Sequence, residues 1–249
     1  MNIAFYTACT GMITQQDGMD VTANNIANSN TVGYKALRPS FADCIYTEYR
    51  ATEPDWDTGH GQYLNKTDFT FDISGFTDTS QPLNWALPND GFFLVRDYNG
   101  NEYLTRDGDF HITNVDDHWE LVNSNGDFVL DYEGNHIIVP FVMQEDAEGV
   151  LQETDTINYA ELTDMIGVYT VPNNWGLAQD DGNHFLITER SGQPTPDEGL
   201  DKLEYYLERS NVDMAEEMVN MIIFQRGYQL DAKIVQYTDE MQQIANNIR

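Results

Sequence analysis

Five histidines, two cysteines and 42 carboxylates are the groups in this 249-residue chain that could do chemistry, and their spacing decides what is open to them. His60, His111, His118, His136 and His184 show neither the H-x-x-x-H nor the H-E-x-x-H pattern that sets two imidazoles on one helix face, so no zinc site is expected. Asp97-Tyr98-Asn99-Gly100-Asn101-Glu102 begins like a calcium loop. Such a loop needs glycine at its sixth position and glutamate at its twelfth, where this chain has Glu102 and Gly108, so a hairpin turn is expected instead. The carboxylate pairs that could hydrolyse a glycoside are Asp116-Asp117, Asp180-Asp181 and Asp197-Glu198. Neighbours on a strand point to opposite faces, and all three pairs lie among turn formers, so they read as solvated surface. Gly59-His60-Gly61 lacks the third glycine of a dinucleotide loop, and Asn65-Lys66-Thr67 is a sequon too short to carry weight. Cys9 and Cys44, outside any C-x-x-C pair, read as reduced, small apolar residues. Neither an enzyme nor a cofactor is expected.

What remains is the chemistry of surfaces. Asn24, Asn25 and Asn28 stand where a helix should end, and their amides can satisfy its last carbonyls or bridge to a neighbouring subunit. Asparagine is a poor helix former, so three amides within five residues point to more than local capping. Upstream, from Asn2 to Ala27, the row Phe5, Ala8, Met12, Gln15, Met19, Thr22 and Ile26 repeats by three and four, a heptad seam. Ala4, Cys9, Ile13, Ala23 and Ala27 widen it, and Asn28-Ser29-Asn30 with Gly33 stops the helix.

The last forty residues repeat the design. Ser210-Asn211-Val212-Asp213 is a helix start, with Ser210 or Asn211 expected to cap and Asp213, Glu216 and Glu217 near the positive end of the dipole. The row Leu230, Ile234, Tyr237, Met241, Ile244 and Ile248 again has coiled-coil spacing. Met218, Val219, Met221, Ile222, Ile223 and Phe224 are apolar nearly all round, so this part is expected to be buried on more than one side.

Between the helices, short strands are expected at Phe92–Val95, Tyr103–Leu104, Trp119–Val122, Phe128–Leu130, Ile137–Val139, Ile166–Val171 and His184–Thr188. Asn99-Gly100, Asn125-Gly126 and Glu133-Gly134 sit at turns that need positive φ. The expected class is α+β: residues 1–44 and 206–249 as a helical coiled-coil domain, 45–72 as an extended connector and 73–205 as an antiparallel β-rich domain. With 12 basic side chains and a net charge of −30, nucleic acid and anionic membranes are improbable partners. No stretch approaches the ~20 apolar residues of a membrane span, and the first residues lack the pattern of a cleaved signal peptide.

The junctions carry a resemblance. Ala23-Asn24-Asn25-Ile26-Ala27-Asn28-Ser29-Asn30-Thr31-Val32-Gly33-Tyr34-Lys35 resembles the N-terminal signature of the bacterial flagellar rod and hook protein family. Ser210-Asn211-Val212-Asp213, Glu217 to Ile223 and Gln225-Arg226 resemble its C-terminal signature, and Asp90-Gly91-Phe92-Phe93 with Thr105 to Phe110 resembles its central domain. The connector and roughly Glu145 to Asp164 match least. The resemblance implies an axial subunit of the flagellar basal body, exported by the flagellar type III apparatus without a cleaved signal. It implies a homopolymeric helical tube whose terminal helices pair facing the channel, with other rod and hook subunits as partners. A single small β domain is similar to the rod proteins, distal or proximal, rather than the hook; the other alternative is a secreted acidic adhesin.

The residues expected to carry self-assembly are Phe5, Met12, Met19, Asn24, Asn25, Ile26, Asn28, Gly33, Tyr34, Asn211, Val212, Glu217, Met218, Ile222, Gln225, Arg226, Leu230, Ile234, Tyr237, Met241 and Ile244. Gly33 is expected to permit a sharp turn that Tyr34 anchors. Three departures from the family pattern stand out: Asn89 in place of a glycine, Glu204-Tyr205 in place of Gln-Gly, and Gly227 in place of alanine. Two further expectations follow. Terminal helices so far apart in sequence should fray in the dilute monomer, leaving a core near 45–205. Salt or divalent cations should favour assembly of so acidic a subunit, which light scattering would test.

Overall fold

The computed structural model describes residues 3–44, 47–48, 57–115, 118–145, 151–180 and 183–248. Its labelled elements, in chain order, are helix α1 (Ile3–Ala27) and strands β1 (Leu37–Asp43), β2 (Gln62–Phe69), β3 (Phe92–Arg96), β4 (Glu102–Thr105), β5 (Phe110–Val115), β6 (His118–Asn123) and β7 (Phe128–Val129). Helix α2 (Tyr159–Met165), strands β8 (Val168–Thr170), β9 (His184–Leu186) and β10 (Tyr206–Glu208), and helix α3 (Met214–Asn247) complete the set. The class is α+β. Two compact units result: a helical unit of Met1–Ser29, Ala36–Thr70 and Val212–Arg249, and a β unit of Asn30–Lys35 and Phe71–Asn211.

In the helical unit α1 and α3 lie side by side and antiparallel. Gly11 stands against the Asp231 carboxylate, Gln15 against Gly227 and Gly18 against the Phe224 ring, so rising numbers on one helix meet falling numbers on the other. A Cβ on Gly18 would stand 2.7 Å from that ring, which is why the position takes no side chain. The buried row of α1 is Ala8, Gly11, Thr14, Gly18, Thr22 and Asn25. This corrects the expected seam: Phe5 is exposed, Met12, Met19 and Ile26 are half-buried, and close approach of the backbones selects small residues.

Residues 62–69, expected within a connector, instead form β2. This strand pairs antiparallel with β1 from Leu37 opposite Phe69 to Asp43 opposite Gln62, with a register slip between Ser40 and Phe41. The pair is fastened to α1, where the Thr14 hydroxyl donates to the Gln62 carbonyl at 2.9 Å, and to α3, where the Phe41 ring meets Phe224 edge-on at 6.1 Å. Residues 45–46 and 49–56 of the expected connector lie outside the described residues, as do Asp116-Asp117 and Asp181.

The β unit is built on one antiparallel sheet in the order β9-β4-β3-β7-β6-β5, extended beyond β9 by Ala178–Gln179, with β8 also pairing β3. Trp85, Leu87, Phe93, Val95, Phe110, Leu121, Val129, Ile137, Leu162, Ile166 and Val168 form its core, and Phe93 and Phe110 meet edge-on at 5.1 Å. The glycines of all three expected turns hold positive φ: +87° at Gly100, +92° at Gly126 and +82° at Gly134. The calcium-like stretch is a hairpin turn, with Arg96 opposite Glu102 and the Asp97 carboxylate accepting from Tyr98 N at 2.6 Å. Four strands are shorter than expected: Phe128–Val129 stops before Leu130 and His184–Leu186 stops before Thr188. Ile137–Val139 makes only an isolated bridge, Ile138 opposite Glu120, and Ile166 closes α2 by donating its N–H to the Leu162 carbonyl at 3.3 Å. Helix α2 itself, capped by the Asn158 side chain, had no signal in its seven residues.

Candidate assembly interface

Helix α3 begins at Asp213, whose carboxylate accepts from Ala215 N at 2.9 Å and Glu216 N at 3.3 Å. Asp213 is therefore the N-cap in place of Ser210 or Asn211. From there 34 residues run without proline, and two rows spaced by four and three divide the helix. The row turned towards α1 is Glu217, Met221, Phe224, Tyr228, Asp231, Val235 and Thr238, all half-buried except Thr238, which is buried. The more apolar row, Leu230, Ile234, Tyr237, Met241 and Ile244, stands one position earlier, about 100° around the helix, and is left 43–61% exposed. Met218, Val219, Ile222 and Ile223 are likewise more than half exposed, so in the lone chain the first half of α3 is covered on one side rather than several. Gln225 and Arg226 are exposed between the two apolar groups, and Ile3, Phe5, Tyr6 and Ile13 add exposed apolar side chains on α1.

The three amides divide. Asn28 Nδ2 donates to Asn24 Oδ1 at 2.7 Å and to the Asn24 carbonyl at 3.0 Å, so this pair closes the last turn of α1, with Asn24 exposed and Asn28 half-buried. Asn25 is buried. Its Nδ2 donates to the Leu37 carbonyl at 2.8 Å and to Glu217 Oε1 at 2.9 Å, and its Oδ1 accepts from Leu37 N at 2.9 Å. One side chain thus joins α1, β1 and α3. Burial pushes the Glu217 carboxyl up from its usual range, opposed by the Asn25 hydrogen bond, and burial against α1 pushes Asp231 up as well.

Gly33 and Tyr34 belong to the β unit and are buried there. Gly33 holds φ +67°, donates its N–H to the Glu208 carbonyl at 3.0 Å, and stands so close to Arg106 that a Cβ would fall 2.6 Å from the Arg106 carbonyl carbon. Tyr34, fully buried, accepts from Asn211 N through its carbonyl at 3.4 Å, and Asn211 Nδ2 donates to the Asp72 carbonyl at 3.2 Å. Val212, the first residue back in the helical unit, is half-buried.

Beside them lies a group the sequence reading missed. Glu208 receives Lys35 Nζ at 2.7 Å on one oxygen and Arg106 Nε at 2.6 Å on the other, all three side chains 1% exposed. Arg106 also donates to the carbonyls of Gly91, Leu87 and Asn89 at 2.9, 3.1 and 2.7 Å. Burial lowers the Lys35 amine from its usual value, and the neighbouring Arg106 charge lowers it further. The signal available was Lys35 and Arg106 standing inside two quoted motifs, each a cation in an otherwise acidic chain.

The departures resolve locally. Asn89 has no positive φ; its side chain bonds Gly91 N at 3.2 Å and the Asp201 carbonyl at 3.1 Å. Tyr205 does adopt the left-handed backbone, at φ +68°, held between Asn84 and Thr79. Gly227 makes room for the end of Gln15.

Among the described residues the arrangement is a long helical surface and a closely packed β unit. Comparison with known proteins agrees with that division. Residues 5–35 match the family described as flagella basal body rod protein, residues 86–158 the flagellar hook protein FlgE/F/G D1 domain, and residues 203–248 the flagellar basal body rod FlgEFG protein C-terminal family. The flagellar basal-body rod protein FlgG of Borreliella burgdorferi is 35% identical, with 99% of this chain and 98% of that protein covered. FlgG of Bacillus subtilis is 30% identical over 99% and 98%, and that of Buchnera aphidicola subsp. Baizongia pistaciae 32% over 96% and 97%. The hook alternative is not better supported than the rod. The chain belongs to the flagellar basal-body rod protein family and is a structural rod subunit rather than an enzyme.

Proposed function

We propose that this subunit polymerises with copies of itself into the helical tube of the rod, towards its distal end, and that the outward rows of α1 and α3 are the seams. The observation that carries this is the row Leu230, Ile234, Tyr237, Met241 and Ile244, whose exposure in the lone chain leaves an apolar stripe without cover along the second half of α3. Its spacing suits coiled-coil packing against a neighbouring helix. Val219 and Ile223 continue the stripe towards the start of α3; Met218 and Ile222 widen it on one side, and Phe5, Met12, Met19 and Ile26 add apolar surface on α1. Gln225, Arg226 and Asn24 are polar contacts in register with it. Asn25, Asn28, Gly33, Tyr34, Asn211, Val212 and Glu217 act within the chain, setting the shape that the seams require. Export through the flagellar type III apparatus without a cleaved signal, and junctions with other rod and hook subunits, complete the reading.

The test is sedimentation of purified protein under conditions that polymerise it. Ile234→Asp with Met241→Asp is expected to abolish the pelleted polymer while the melting of the monomer stays as in the parent. A double variant that still polymerises would remove the seams from this face.

A further inference from the structure

The chain passes between the helical and β units at four points, 29/30, 35/36, 70/71 and 211/212. Within the β unit the segments beside all four points are fastened to one another. Lys35 Nζ donates to the Asp72 carbonyl at 3.1 Å as well as to Glu208, Gly33 N reaches the Glu208 carbonyl, and Asn211 reaches both Tyr34 and Asp72. Arg106 then ties Glu208 to the backbone at Leu87, Asn89 and Gly91.

We infer that Lys35, Glu208 and Arg106 are positioning residues forming a mechanical clamp, which shares force arriving through any one crossing among all four and with the core of the β unit. This rests on the rod reading, because a subunit built into a continuous polymer carries whatever load passes along it. The argument is one of stiffness. Replacing buried charges by apolar groups of similar volume is often neutral or stabilising, so stability alone is a weak reason for keeping three of them here. Apolar contacts are non-directional and let neighbours slide. A carboxylate with each oxygen committed to a different segment cannot shift without leaving a buried charge uncovered, so it resists displacement from the first ångström.

The experiment replaces the gene in the source bacterium and measures swimming in media of rising viscosity, beside melting of each purified protein. Lys35→Met leaves Glu208 and Arg106 as a matched pair. Leu121→Ala is the control, a core change away from the crossings that lowers melting without touching the clamp. The K35M strain is expected to swim like the parent in dilute medium and to lose speed severalfold in viscous medium, shedding hooks with broken rods, whereas L121A keeps the parent's response to load. Should K35M fail to fold, Asn211→Ala removes a tie without exposing a charge and is expected to show a smaller defect of the same kind. A K35M or N211A strain that follows L121A at every load overturns the clamp while leaving the rod reading intact. A strain lacking the gene that swims normally overturns both.

Discussion

The two units bury different things. The β unit closes over Trp85, Phe92, Phe93, Phe110 and Phe185 almost completely, whereas the described residues of the helical unit bury little larger than threonine and asparagine apart from Phe69. The helical unit keeps its large apolar side chains outside, on α3 above all. Charge divides too: residues 30–35 and 71–211 hold 28 of the 42 acidic side chains. One unit is complete as it stands; the other has surface still to bury, and the copies that cover it supply what its own packing lacks.

The largest effect that could break this contrast is in the β core. Trp85→Ala should cost about 3–5 kcal/mol of monomer stability by thermal melting, whereas Ile234→Asp should change it by less than about 0.5 kcal/mol and remove assembly instead. Equal losses from both would erase the distinction. Next is the packing of α1 on α3, where Gly18→Leu drives a side chain into the Phe224 ring and should loosen the helical unit by about 1–3 kcal/mol. Hydrogen exchange should quicken along both helices and stay unchanged in strands β3 to β7. A smaller change of opposite sign is expected at Tyr205. Glycine there relieves the left-handed backbone and should stabilise the β unit by about 1 kcal/mol, the gain being trimmed by the freer unfolded chain.

The smallest effect is a pH dependence. Glu217 and Asp231 bind protons more tightly in the folded chain than when unfolded, so their pairing with α1 gains stability as pH falls through the folded values, which lie above 4.5 and 3.8, and loses it as pH rises. Helix amides, corrected for intrinsic exchange, should be better protected towards acid, and Glu217→Gln should flatten part of that slope. A slope unaffected by the substitution would locate the titration elsewhere.

The contrast also explains what could be read from sequence. Hairpin turns were legible because Gly100, Gly126 and Gly134 mark positive φ by residue type, and β3, β4, β6 and β7 because their buried aromatic and branched residues stand together; β5, where exposed His111 and Asn114 interrupt the apolar residues, was not among the expected strands. The face of α3 that meets α1 was not. Hydrophobic periodicity finds the most apolar row, and here that row is the outward one, while the inward row contains Glu217 and Asp231 and meets Gly11 and Gly18, which carry no apolar signal. Strand β2, with Asn65, Lys66 and Thr67 exposed, lacks the alternation of a half-buried strand. The Glu208 cluster joins residues 173 and 102 positions apart, a distance no local pattern bridges.

Limited proteolysis of the dilute monomer beside the sedimented polymer tests the central claim most directly. The monomer is expected to be trimmed from both ends to a resistant piece of about residues 30–211, wider than the sequence alone suggested, with the helices protected only in the polymer. A monomer whose helices resist as long as its β unit would contradict a helical unit completed by assembly.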